Sequence, residues 1–266
     1  MSIMGQPRRY RVNPADPRAP KMEIWELLSP AERKRVVDEL PAEVPWELMP
    51  PEGDFHRKAK ERAVDSLDGY FRRIGRRIYV SAELAVYYPD ERRFSPDLLA
   101  VTDVDHHDRQ KWVVAAEGKG LDLVMEVVAE GSEKKDYEYN VARYARLGIS
   151  EYFIYDRKRV HLVGYALPEA GATTYQPILP QVGRWPSRVL GLDLSLEAER
   201  VRFFSGTAPL PESAELAARA EHLLTEAIAK REEAERRAEE EARRAEHAEE
   251  ELQQLRAELE RFKRQR

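Results

Sequence analysis

Ser95-Pro96-Asp97-Leu98-Leu99-Ala100-Val101 and, further on, Asp122-Leu123-Val124-Met125-Glu126-Val127-Val128 decide how this chain is read. Both are apolar runs of strand length, and both carry a carboxylate where a buried strand should have none. Residues 136–147 then show helical spacing, and residues 149–155 return as a strand rich in aromatic and β-branched side chains. A carboxylate inside a buried strand costs several kcal/mol unless it is compensated, and a divalent cation shared with a second carboxylate is one compensation. Asp97 and Glu126 are therefore a candidate metal-binding pair, with the Val127 main-chain carbonyl as a third ligand. Hard oxygen ligands of this kind select Mg²⁺ or Mn²⁺.

Upstream, residues 54–74 set Ala59, Ala63, Leu67, Phe71 and Ile74 at helical spacing, and Gly75 is a natural stop. Ser29-Pro30-Ala31-Glu32 opens an earlier helix, with serine as N-cap and proline in the first turn; that helix ends before Pro41. Residues 1–24 are proline-rich and predicted irregular or extended, and Pro45 with Pro50-Pro51 predicts a loop. Residues 78–80 and 84–88 are strand material interrupted near Glu83, and residues 103–120 read as a polar hairpin or loop. Downstream, two strand runs flank the charged turn Asp156-Arg157-Lys158-Arg159 as a hairpin. Residues 189–194 read as one of several short strands before the domain closes near Pro211, giving a domain over residues 25–211.

From residue 213 the character changes. Ser213–Arg266 holds 15 Glu against 12 Lys plus Arg and no Gly or Pro, so the stretch reads as one long helix. A heptad register puts Leu224, Ala238, Ala245, Leu252 and Leu259 at one seam position and Ala227, Ala234, Ala248, Leu255 and Phe262 at the other, interrupted by Arg231 and Glu241. That register predicts a coiled coil over residues 213–266 that makes a homo-oligomer, a dimer in the first instance. A single solvated helix held by i,i+4 ion pairs is the alternative.

The bulk composition narrows the function. The chain has no cysteine, which excludes disulfides, thiolate zinc sites and cysteine nucleophiles. A net charge of -5 gives no general pull toward nucleic acid, so DNA binding would need a local basic patch. Arg72, Arg73, Arg76 and Arg77 are one candidate patch, with a solvated face as the alternative reading. His106-His107 stand in a polar loop with no metal-ligand spacing around them. The start lacks the apolar core of a signal peptide and no run reaches membrane-spanning length, so a cytoplasmic protein without membrane contact is expected.

Taken in order, strand, Pro-Asp, strand, Glu and helix resemble the PD-(D/E)-x-K nuclease superfamily, and more closely the Uma-two family of restriction endonucleases. The resemblance spans residues 25–204 and rests on His56 heading the long helix, Pro96-Asp97, Glu126-Val127, and Asp136 with Tyr144 on the following helix. It continues into Gly148-Ile149-Ser150-Glu151-Tyr152-Phe153-Ile154-Tyr155-Asp156. It implies an α/β (α+β), restriction-endonuclease-like fold with a mixed central sheet flanked by helices, here followed by the long C-terminal helix. It also implies cleavage of DNA phosphodiesters with Mg²⁺ or Mn²⁺.

Superfamily members usually carry a lysine two residues after the glutamate, where this chain has Val128. The Uma-two pattern moves the lysine to four residues after the aspartate, where this chain has Asn140. Asn140 can orient water or phosphate but supplies no charge, and Lys134 and Lys135 lie one turn earlier; Lys135 or Asn140 is assigned to assist the water. By the same resemblance Glu83 is a third acidic ligand or else a surface carboxylate, and His56 meets phosphate or the metal or else makes a local hydrogen bond. Asp136 orients its helix or supports the site, and Tyr144 packs on the sheet or touches substrate. Glu117-Gly118-Lys119 is a rival E-x-K, which Gly118 and Gly120 make a turn. Two functions follow: a metal-dependent DNA endonuclease, or a nuclease-like scaffold that has lost turnover and assembles through its tail.

Overall fold

A computed structural model describes residues 10–43, 53–128 and 133–264, and contacts divide the chain into two units, Met1–Glu212 and Ser213–Arg266. In the first unit, α1 (Met22–Leu27) and α2 (Pro30–Glu39) precede α3 (Asp54–Ile74). Ser29 and Glu32 close a reciprocal capping box on α2, the start signal read in the sequence. On α3 a stripe of Ala63, Leu67 and Phe71 is buried, and Gly75 ends the helix in the left-handed conformation (φ 69°).

Eight strands of the first unit then follow in chain order: β1 (Ile78–Ser81), β2 (Ala85–Tyr87), β3 (Leu98–Thr102), β4 (Lys111–Val113), β5 (Leu123–Val127), β6 (Glu151–Asp156), β7 (His161–Ala166) and β8 (Gln176–Pro177). A six-stranded sheet has the order β1-β3-β5-β6-β7-β8; β5 and β6 run parallel and every other neighbouring pair antiparallel. It is therefore a mixed sheet. One face packs Leu98, Met125 and Val127 against α3, while the other turns Leu99, Val124, Tyr152 and Ile154 toward Tyr144. Burial on both faces is why these strands read as continuous apolar runs. Gly164 of β7 lies opposite Phe153 of β6, and a Cβ there would come within 2.7 Å of the phenylalanine ring.

A second sheet, β9 (Arg184–Ser187), β10 (Leu192–Glu197), β11 (Arg200–Ser205) and β12 (Ala208–Pro209), adds Leu192, Leu194 and Phe203 to the α3 side of the core.

Four readings from the sequence need adjustment. Residues 103–120 are not all loop: β4 pairs in parallel with β2 and leads into α4 (Val114–Glu117). Its buried Trp112 and Val113 run straight into Val114-Ala115-Ala116 of α4, so the three-residue strand shows no period of its own. Residues 189–194 do not form one strand, because Gly191 (φ 66°) turns the chain before β10 begins. The proline-rich opening ends in α1, which starts at Met22. The helix after β5 starts as a π-helical turn (Lys135–Tyr139) before α5 (Asn140–Arg146), and such turns are frequent at functional sites. The loop predicted at Pro45 and Pro50-Pro51 lies outside the described residues.

The second unit is a single helix, α6 (Ser213–Arg264), with i,i+4 ion pairs such as Arg231–Glu235 at 2.8 Å. Leu224, Leu252, Leu255 and Leu259 of the predicted seam are all exposed, and the side chain of Phe262 lies outside the description. Among the described residues no helix is long and apolar enough to cross a membrane.

Candidate active site

Leu98 of β3 stands opposite Met125 of β5 as the last pair of that antiparallel register, and Asp97 and Glu126 are the next residue on each strand. Asp97 Oδ2 accepts the Val127 N–H at 2.7 Å, and Oδ1 lies 3.1 Å from His56 Nε2 and 3.8 Å from Lys60 Nζ. His56 and Lys60 are an i,i+4 pair near the start of α3, so the helix presents both from one face. Lys60, almost fully buried, also pairs with the Glu83 carboxylate. Glu83 adopts a left-handed conformation (φ 54°) and donates its N–H to the Pro96 carbonyl at 3.0 Å, tying the bend after β1 to the Pro96-Asp97 step.

From the other face, Tyr144 of α5 donates its hydroxyl to Glu126 Oε1 at 2.7 Å. Asp136, in the π-helical turn, is 1% exposed. It accepts from Asn140 Nδ2 at 3.1 Å and has Lys135 Nζ 3.3 Å from Oδ1. Tyr152 of β6 donates to the Asp136 main-chain carbonyl at 3.0 Å. The buried tyrosine hydroxyls thus fix both Glu126 and the turn that carries Lys135.

The environments push the two acids apart. Burial, then the nearby Asp97 carboxylate, raise Glu126 well above the usual glutamate range, against the opposing pull of Lys135 and the Tyr144 hydroxyl. Burial would raise Asp97 too, but His56, the Val127 N–H and Lys60 outweigh it and lower its pKa. Partial burial would lower Lys135, yet the carboxylates of Glu126, Asp136 and Asp97 raise it, so it stays an ammonium. Opposed shifts of neighbouring carboxylates mark this cluster as a candidate chemical site.

Asp97, Glu126, His56, Lys135, Asp136, Asn140 and Tyr144 are thus brought into one neighbourhood, and Glu83 joins it through Lys60. At Val127 the group engaged with Asp97 is the N–H. Glu117-Gly118-Lys119 lies elsewhere: Glu117 pairs with Arg109 at 3.0 Å, and Lys119 donates to the Thr102 carbonyl at 2.6 Å, at the far end of β3 from Asp97. The arginine cluster is largely engaged internally. Arg72 pairs with Asp68 and Arg77 with Asp105, while Arg76 donates to the carbonyls of Val189 and Leu190. Lys60 was not singled out in the sequence; its only signal is the four-residue spacing from His56. Among the described residues no group of three or more His, Asp and Glu forms a ready metal cage.

A family model matches residues 25–199, and its description is Uma2, putative restriction endonuclease. This chain belongs to the Uma2 family. The Uma2 match runs from α1 to the turn between β10 and β11, so it takes in both acids, His56, Lys60 and Tyr144 and leaves α6 outside. The family description supports a nuclease. Among solved structures the chain is similar to a protein from Anabaena variabilis described as a putative nuclease belonging to DUF820. The identity is 12% and the TM-score 0.41, over 53% of this chain and 75% of that one. A comparison with curated proteins finds no match.

Proposed function

We propose that the chain is a metal-dependent DNA endonuclease in which Asp97 and Glu126 hold Mg²⁺ or Mn²⁺. The observation that carries this reading is a buried glutamate held by a tyrosine hydroxyl and opposed by the charge of the nearby Asp97. The donor set fits a hard cation: two carboxylates suffice where water and phosphate oxygens complete an octahedron. When bound, that cation would supply charge stabilisation for the phosphate and activation of water.

The remaining roles belong to the chain. His56 and the Val127 N–H fix the Asp97 carboxylate, and Tyr144 fixes that of Glu126. Lys60 brings a cation from α3 to the side of Asp97, and Lys135 brings a second from the π-helical turn. Between them they answer the absence of charge at Asn140, whose amide positions Asp136. Glu83 is read as the residue that holds Lys60.

A second reading, a scaffold without turnover, is favoured by one observation: the position where the Uma-two pattern has a lysine holds a buried neutral amide. Incubating the protein with supercoiled and single-stranded DNA plus Mg²⁺ or Mn²⁺ separates the two. Nicking that Asp97→Ala abolishes supports the nuclease; metal binding without nicking supports the scaffold. In either case α6 is proposed to join copies of the chain through its leucine and alanine seam, on the strength of leucines left in solvent at heptad spacing.

A further inference from the structure

On the α3 side of the sheet lies a cavity of about 280 Å³ that the proposed chemistry does not use. Its floor is apolar and comes from the sheet: Met125, Val127 and Tyr155. Val127 brings it near Asp97, which accepts the Val127 N–H, while Glu126 turns to the opposite face toward Tyr144. Phe55, next to His56 at the start of α3, stands at the edge, 61% exposed. The Arg157 guanidinium covers the Phe55 ring at 3.6 Å from its centroid. Lys58 and Arg200 add positive charge around the opening, and Glu199 adds a carboxylate 3.9 Å from Arg157.

Taken together, an apolar slot, an exposed aromatic ring, a stacked guanidinium and a cationic margin are the elements that hold one unstacked base with its phosphate. The volume is at the small end for ligand sites, sized for a single planar base rather than a base pair. A double helix offers no free base face, so such a slot is useful only where the strand is open. We infer that this cavity takes one unstacked base of the substrate strand beside the scissile phosphate, making single-stranded or locally opened DNA the preferred substrate. The inference rests on the nuclease reading for the identity of the ligand, and the experiment separates the two.

The full-length protein in EDTA is titrated into fluorescein-labelled dT12 and into an all-abasic 12-mer of equal charge, with anisotropy as the readout. The wild type should bind dT12 roughly tenfold or more tightly than the abasic strand, in line with the value of one stacked base. Phe55→Ala should erase most of that ratio while leaving the abasic affinity in place, which also shows that the variant is folded; Arg157→Gln should lower the ratio and weaken binding to both strands. Equal wild-type affinities for the two strands, including no binding to either, would overturn the inference. So would a Phe55→Ala protein that keeps the full ratio. The same preparation is assayed for plasmid nicking with Mg²⁺ and Mn²⁺. Nicking without base-dependent binding removes the slot and keeps the nuclease; base-dependent binding without nicking does the reverse.

Discussion

At the scale of residues, the decisive feature is that Glu126 is hard to ionise and Asp97 is not. The sign of the consequence can be worked out. Below the ordinary glutamate pKa both folded and unfolded chains keep the proton at position 126, and nothing is lost. Above it the unfolded chain releases the proton while the folded one retains it. Stability therefore falls with rising pH, by about 1.4 kcal/mol per unit, until the raised value is passed. Asp97 acts in the opposite sense: its lowered pKa contributes stability above the ordinary aspartate range, lost as pH falls through the folded value. Glu126→Gln should raise Tm in EDTA, with a gain over wild type that grows as pH climbs above about 4.5, the ordinary glutamate value. Parallel melting profiles for the two proteins would contradict this. Lys60→Met tests the missed cation: nicking should drop on the order of 10²-fold, as for loss of one charge-stabilising donor. Asn140→Lys, by contrast, should give little gain if, as proposed, Lys60 and Lys135 supply the site's positive charge. A large rise in nicking rate for that variant would shift the catalytic charge back to α5.

At the scale of elements, α3 does two jobs: one stripe is core and its first turns carry His56 and Lys60. Leu67→Ala should cost about 2–5 kcal/mol in denaturant unfolding, since that side chain is fully buried against the sheet. Gly164→Ala should also destabilise, by roughly 1–3 kcal/mol, because the new methyl meets the fully buried Phe153 ring. A neutral result at position 164 would mean that the β6–β7 pair can shift. These elements also show what could be read without coordinates. Strands β3, β5 and β6 are buried on both faces and announce themselves as apolar runs, and α3 does so by its period and its terminal glycine. Both acids were legible because a carboxylate is conspicuous in such a run. Lys60 was not, because a lysine on an amphipathic helix looks like any solvated lysine until the tertiary contact with Asp97 and Glu83 is seen. Strand β4 was missed for a related reason: three residues have no periodicity, and its partner β2 is distant in sequence.

At the scale of the whole molecule, α6 is the feature without a counterpart inside the first unit. Sedimentation of the full chain should give twice the mass of one copy, and Leu252→Glu with Leu259→Glu should return it to one. A wild type that sediments as a single copy at micromolar concentration would leave α6 a solvated helix. On the proposed reading each chain brings one pair of acids, Asp97 and Glu126, and one such pair would sever one backbone at a time. A duplex break then needs a second visit. Tethering two chains along α6 would convert that visit into a local event governed by effective concentration rather than by diffusion. Linear plasmid should in that case accumulate together with the open circular form for the paired protein, and only well after it once the leucines are replaced.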